Sequence, residues 1–188
     1  AAGQFDHLTI VPDSLASTLA PACARVEELG FADTTVTVEQ ALASSSGRDY
    51  QEKLRNLIKR AYSDWGVTYV LLAGDNEQIP CRLCWVELNS QYRDWIPTEL
   101  YYSALDGDWD RDGDNRFGEP EDSVDLVPDV LLGRLPLATR AELQRFVTRY
   151  LVYTSDSARP YLENVLFAGF DYSPGFCGEE ACEIYDAL

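Results

Sequence analysis

The sequence predicts an α/β fold in three layers, a parallel sheet with helices on both faces (a doubly wound arrangement). Three observations carry that reading. Apolar strand segments alternate with segments of helical periodicity. The run Thr68 to Ala73 (TYVLLA) is apolar throughout, as a strand covered on both faces should be. Two strand candidates end in glycine, at Gly74 and Gly133, where the chain must leave the sheet.

In chain order, Phe5 to Val11 (FDHLTIV) is a buried strand stopped by Pro12-Asp13-Ser14. A helix follows, with Leu19, Cys23, Val26 and Leu29 near one face and Gly30 as its stop. Proline is tolerated in a helix's first turn, so Pro21 sets the expected start near Thr18. Phe31 to Val38 is a β-branched strand, and Ser44 to Gly47 a turn. Asp49-Tyr50-Gln51-Glu52 resembles a capping box opening a helix. Tyr50, Leu54, Leu57, Ile58, Ala61 and Tyr62 form its stripe. After TYVLLA, Gly74 to Pro80 lies beyond a strand's carboxyl end, where open α/β sheets bind ligands; Asp75 there is a ligand candidate or an Asx-turn cap. The aromatic stretch Cys81 to Tyr102 is a hairpin or a substrate wall. Val130 to Leu132 is the next strand, followed by a helix with Leu143, Phe146, Val147, Tyr150 and Leu151 on one face. Asn164 to Phe170 is a fifth strand, and Glu179 to Leu188 begins a helix.

The 188 residues carry a formal net charge of −17, from 32 acidic and 15 basic side chains. A surface of that sign repels phosphate backbones and anionic headgroups, which argues against nucleic-acid and membrane-surface binding. No apolar run reaches the roughly 20 residues of a membrane span. The chain starts with Ala and contains no Met, so a piece of a longer product is expected.

The densest chemistry lies between Tyr101 and Pro136. Asp108, Asp110 and Asp112 alternate, Gly113 follows, Asp114 offers its backbone carbonyl, and Glu119 closes a twelve-residue span. That is the ligand spacing of a calcium loop: hard cations take several oxygens, and alternating aspartates supply them from one side of a tight turn. Asn115 replaces the usual apolar residue, and Pro120 stops a helix from leaving the loop, so this is an EF-like loop in another fold. Asp106 and Asp122 are additional candidate ligands. Ten carboxylates crowd between Asp106 and Asp129, and without a cation they repel one another.

Of the five cysteines, Cys23 falls on a helix's apolar face, as a buried thiol does. Cys81 and Cys84, with Cys177 and Cys182, suit disulfides of an extracytoplasmic protein or else a zinc site. The single histidine, His7, stands at a strand edge with no nucleophile or metal cluster near it in sequence.

Gly74, Asp75, Asn76, Ile79 and Pro80, then Tyr101-Tyr102, the acidic loop with its Gly118-Glu119 exit, Pro128-Asp129-Val130 and Gly133-Arg134 resemble, in order and spacing, the gingipain-like cysteine peptidases, relatives of the caspases. The likeness runs from Leu8 to Glu179. It implies a caspase-like fold and peptide-bond hydrolysis by a Cys/His dyad, whose family motifs are absent here and would follow residue 188. It also implies a role for Asp171 in orienting that histidine, unless Asp171 caps the turn before Ser173-Pro174-Gly175. On this reading residues 1–158 form a supporting subdomain and 159–188 open the catalytic one. The expectation is a fragment of a secreted, calcium-stabilised cysteine endopeptidase, extracellular or in the cell envelope. Its partners are then the catalytic half and a peptide or protein substrate. The alternative is a non-catalytic calcium-binding α/β module. A receiver-like domain fits less well, because Lys53 and Lys59 both lie in a helix.

Overall fold

The two central strands of the sheet are its most buried segments, with Leu8 to Val11 buried without a break. A computed structural model describes residues 4–89, 92–124 and 126–155. By its internal contacts the chain divides into residues Ala1–Tyr153 and Thr154–Leu188. The expected strand Asn164 to Phe170, the helix from Glu179, and Asp171, Cys177 and Cys182 lie outside the described residues.

Four strands, β1 (His7–Val11), β2 (Asp33–Thr37), β3 (Tyr69–Ala73) and β6 (Leu131–Leu135), form a parallel sheet in the order β2-β1-β3-β6. The register is continuous: His7 lies beside Asp33 and Tyr69, and Tyr69 beside Leu131. Between β3 and β6 the chain makes a long excursion. It builds an antiparallel hairpin, β4 (Arg82–Asn89) and β5 (Tyr92–Thr98), the single turn α4 (Leu100–Ser103), and the acidic loop.

The two sheet faces have separate cores. Leu8, Ile10, Val70 and Leu72 pack against Leu54, Leu57 and Ile58 of α3 (Tyr50–Arg60), and this core continues into Tyr101, Tyr102, Trp109 and Phe117 of the excursion. Val11 and Ala73 face the other way, against Leu15 and Leu19 of α1 (Asp13–Glu28) and Leu143 and Val147 of α5 (Arg140–Tyr153). Successive strand residues point to opposite faces, so one short apolar strand serves both layers. This is the three-layer α/β architecture expected.

Three boundaries differ from expectation for physical reasons. Helix α1 starts at Asp13, not near Thr18, and Pro21 sits inside it. The buried face of Leu15, Thr18, Leu19 and Ala22 outweighs the single backbone hydrogen bond that Pro21 cannot make. The second strand ends at Thr37, because Thr37 and Gln40 close a capping box: the Thr37 hydroxyl accepts from Gln40 N–H and the Gln40 side chain from Thr37 N–H. That box opens α2 (Val38–Ser44), an element the sequence reading passed over. At Asp49 the cap is half a box. The Asp49 carboxylate accepts from Glu52 N–H, while Glu52 reaches Arg48 N–H. Beyond α3 a π-helical turn (Ala61–Trp65) ends on left-handed Gly66, and Tyr62 faces solvent.

Candidate functional site

Two places merit a chemical reading: the carboxyl end of the sheet and the acidic loop. At the sheet end, Asp75 is a turn cap, its Oδ1 accepting from Glu77 N–H (3.0 Å) and Gln78 N–H (3.1 Å). Arg134, at the end of β6, grips Glu99 through both carboxylate oxygens (2.6 and 3.0 Å) and donates to the carbonyls of Gly74 and Asp75. It ties the start of the excursion to its end.

The acidic loop is built from Asx turns. Asp108, Asp112 and Asp114 each accept the N–H two residues on (3.1, 3.1 and 2.7 Å). Left-handed Gly113 supplies the sharp bend, and Asn115 adopts a left-handed conformation as well. The Asp110 side chain is fully buried, accepts from Asn115 N–H, and pairs with the Arg48 guanidinium. Asp122, 2% exposed, accepts from Arg111 N–H and Gly118 N–H, one on each oxygen. Two carboxylate triads result: Asp110, Asp112 and Asp122, and Asp112, Asp114 and Glu119, with oxygens within 4.8 Å of one another in each. Asp108 belongs to neither, and Asp114 enters through its side chain rather than only its carbonyl. Burial pushes the Glu119 carboxyl up, reinforced by the charges of Asp114, Glu121 and Asp112. A cavity of about 450 Å³ lies over Asp112, Asp114 and Glu119 beside Trp85.

Three arginines hold this loop in place, and sequence reasoning missed all three. Arg55 donates to the carbonyls of Tyr101, Ala104 and Asp106 (2.8 to 2.9 Å), and burial lowers its pKa. Arg82 packs over both the Tyr101 and Phe117 rings (4.4 and 4.0 Å from their centroids) and takes Asp49 in a two-point pair. Arg48 reaches Asp110 and stacks on Phe117. The available signal was position: Arg55 sits on the apolar stripe of α3, and Arg82 beside apolar strand residues.

Cys81 and Cys84 carry free thiols, and burial raises the Cys84 pKa to about 11. Among the described residues no cysteine joins a cluster able to hold a metal. Cys23 is also free; burial raises its pKa, so it stays a thiol at neutral pH. His7 bonds Asp33 through Nδ1 (2.6 Å) on the sheet face packed by α1 and α5, away from the acidic loop.

A model of peptidase family C25 matches residues 1–186. Among solved structures, the chain resembles the Arg-specific cysteine proteinase gingipain R at TM-score 0.57 and 18% identity, covering 81% of this chain and 29% of that one. A complex of the pro- and mature domains of Porphyromonas gingivalis RgpB gives 0.56 and 17%, covering 80% and 29%. Dimeric latent PorU from Porphyromonas gingivalis gives 0.52 and 19%, covering 77% and 15%. The chain therefore spans less than a third of these structures, and identities this low show the fold alone. No curated protein matches. Among the described residues no helix is long and apolar enough to cross a membrane.

Proposed function

The chain belongs to peptidase family C25, and from that premise we propose that it is the supporting portion of a secreted, calcium-stabilised cysteine endopeptidase. Its nucleophile and base lie outside these 188 residues. The observation that carries this reading is the family match along residues 1–186. In agreement with it, the single histidine lies against the apolar side chains of α1 and α5, and burial keeps Cys23 and Cys84 un-ionised. Residues 1–158 act as scaffold, and 159–188 open the catalytic subdomain, where Asp171 orients the histidine. The test uses the longer precursor. Peptide hydrolysis abolished by a thiol alkylator, and a lowered kcat at unchanged KM in Asp171→Asn, are expected. The isolated 188 residues should hydrolyse nothing; alkylator-sensitive turnover by them overturns the reading.

Calcium belongs to the same proposal, and the residues present fit it. Asp112, Asp114 and Glu119 converge, and the Glu119 carboxyl, pushed up by burial and then by the charges of Asp114, Glu121 and Asp112, sits among like charges that a divalent cation would neutralise. Asp110 is matched by Arg48 and Asp122 by two N–H groups, so the triad of Asp112, Asp114 and Glu119 is the better-suited half of the loop. Asp108 and Asp110 then order the turn. When bound, the ion neutralises the loop and fixes the excursion. Calorimetric titration of the chelated protein should give binding in the micromolar to millimolar range of calcium-sensing and extracellular sites; no heat and no thermal shift at millimolar calcium ends the idea.

A further inference from the structure

Between the sheet and the helix pair α1 and α5 lies a cavity of about 210 Å³ that the supporting role of the chain leaves unused. Its walls come from β1, β3, β6, α1 and α5, all among the described residues. Most of the lining is apolar: Leu19 and Ala22 from α1, Leu71 and Leu135 from the sheet, Phe146 and Tyr150 from α5. A dry apolar cavity of about 150 Å³ is already large enough to take benzene, so a single ring fits this one.

One wall is polar, and it is a network. His7 and Thr9 of β1 stand beside Asp33 and Thr35 of β2 in register. The Asp33 side chain, 4% exposed, accepts from His7 Nδ1 (2.6 Å) and the Thr9 hydroxyl (3.2 Å) at one oxygen, and from the Thr35 hydroxyl (3.4 Å) at the other. Cys23 of α1 joins them, donating to Thr9 at 3.8 Å and accepting from Thr35 at 3.6 Å. A carboxylate on Nδ1 fixes the orientation of the imidazole and leaves Nε2 as the nitrogen open to a ligand. Among the described residues Nε2 has no hydrogen-bond partner, and it is not sealed from solvent.

The surroundings select the ligand. An anion would meet the Asp33 charge beside His7, in a protein of net charge −17. A cation would lose its water to apolar walls and find both Asp33 oxygens already engaged. A neutral hydroxyl suits Nε2 in either protonation state, donating to the neutral ring and accepting from the charged one. The parallel rings of Phe146 and Tyr150 (10° apart, centroids at 5.9 Å) give the α5 wall aromatic surface for a further ring to pack on.

The geometry points to this cavity as a binding site for a small, neutral phenolic compound: a single aromatic ring whose hydroxyl bonds His7 Nε2. Asp33 is the positioning residue, holding the imidazole from behind through Nδ1. The site lies on the sheet face away from the acidic loop, so it is independent of calcium.

His7 is the only histidine, so its imidazole resonances identify themselves in a spectrum of the 188-residue chain. Phenol, titrated into the millimolar range that suits so small a ligand, should shift the Nε2 resonance and saturate. Benzene should bind about three- to tenfold more weakly, the worth of one hydrogen bond, and move Nε2 far less. Ala22→Leu, whose added carbons enter the cavity, should lose both ligands. No saturable shift with phenol overturns the inference. So does equal affinity for phenol and benzene, which would mean apolar packing only, or undiminished binding to Ala22→Leu, which would put the site elsewhere. A capped Gly-Tyr-Gly peptide that binds as tightly as phenol would also overturn it, assigning the cavity to a tyrosyl ring of a partner protein. If Ala22→Leu does not fold by circular dichroism, the comparison of phenol with benzene on the wild-type chain decides.

Discussion

Glu119 shows how one side chain can change sign with its surroundings. Its carboxyl is pushed up by burial and by Asp114, Glu121 and Asp112, so without a cation the folded state holds its proton more tightly than the unfolded chain does. Stability from that proton is present below the ordinary glutamate value and is lost as pH rises through the raised one. Thermal melts of the chelated protein should therefore show Glu119→Gln more stable than wild type at neutral pH, with the difference closing on acidification. In millimolar calcium the same substitution should destabilise. Equal melting temperatures in both conditions would remove Glu119 from any cation site. Gly118 is constrained differently. Its φ is +78°, and a Cβ there would meet the Trp109 ring at 3.1 Å. Gly118→Ala should cost about 1–3 kcal/mol in chemical denaturation. The chain around it would have to give way against the buried indole.

At the scale of elements, α1 is the instructive case. Pro21 is exposed within a sixteen-residue helix, and the hydrogen bond it lacks is not replaced by packing of its own ring. Pro21→Ala should stabilise by about 1–2 kcal/mol, the gain in helix propensity less the extra freedom of the unfolded chain. The midpoint of denaturant unfolding measures it. The same helix marks where sequence reading works. Strands β1 and β3 were legible because an apolar run with both faces covered has one interpretation, and the α3 stripe because its spacing is regular. The start of α1 was not, because a local rule about proline lost to a core face contributed by Leu15 and Leu19. The short α2 was readable from Thr37 and Gln40, yet its seven residues are too few for periodicity to show. The acidic loop was legible by spacing alone, since Asp-x-Asp-x-Asp-Gly is a local pattern. Its partition into two triads was not, because it depends on Arg48, whose approach to Asp110 is tertiary.

For the whole molecule, the charge imbalance sets the terms. A net −17 on 188 residues opposes the compact state through self-repulsion, and the repulsion is concentrated in the excursion between β3 and β6. Screening should help: the melting temperature of the chelated protein is expected to rise with added sodium chloride between about 0.01 and 0.5 M, and to rise less once calcium is present. A flat salt response would locate the repulsion elsewhere. The pairing of β3 with β6 brings a further consequence, this time for the rate of folding. Tyr69 lies beside Leu131, so two adjacent parallel strands cannot zip up until about sixty intervening residues have been drawn together. Contacts that distant make for slow folding. Arg134 closes that circuit by gripping Glu99 and the Gly74 carbonyl, and the acidic loop lies inside it. Any ion that pre-forms the loop shortens the span left to search. Stopped-flow refolding should accordingly be faster in calcium than in chelator, with the acceleration lost in Asp112→Asn; an unchanged rate would mean that the loop orders only after the strands have met.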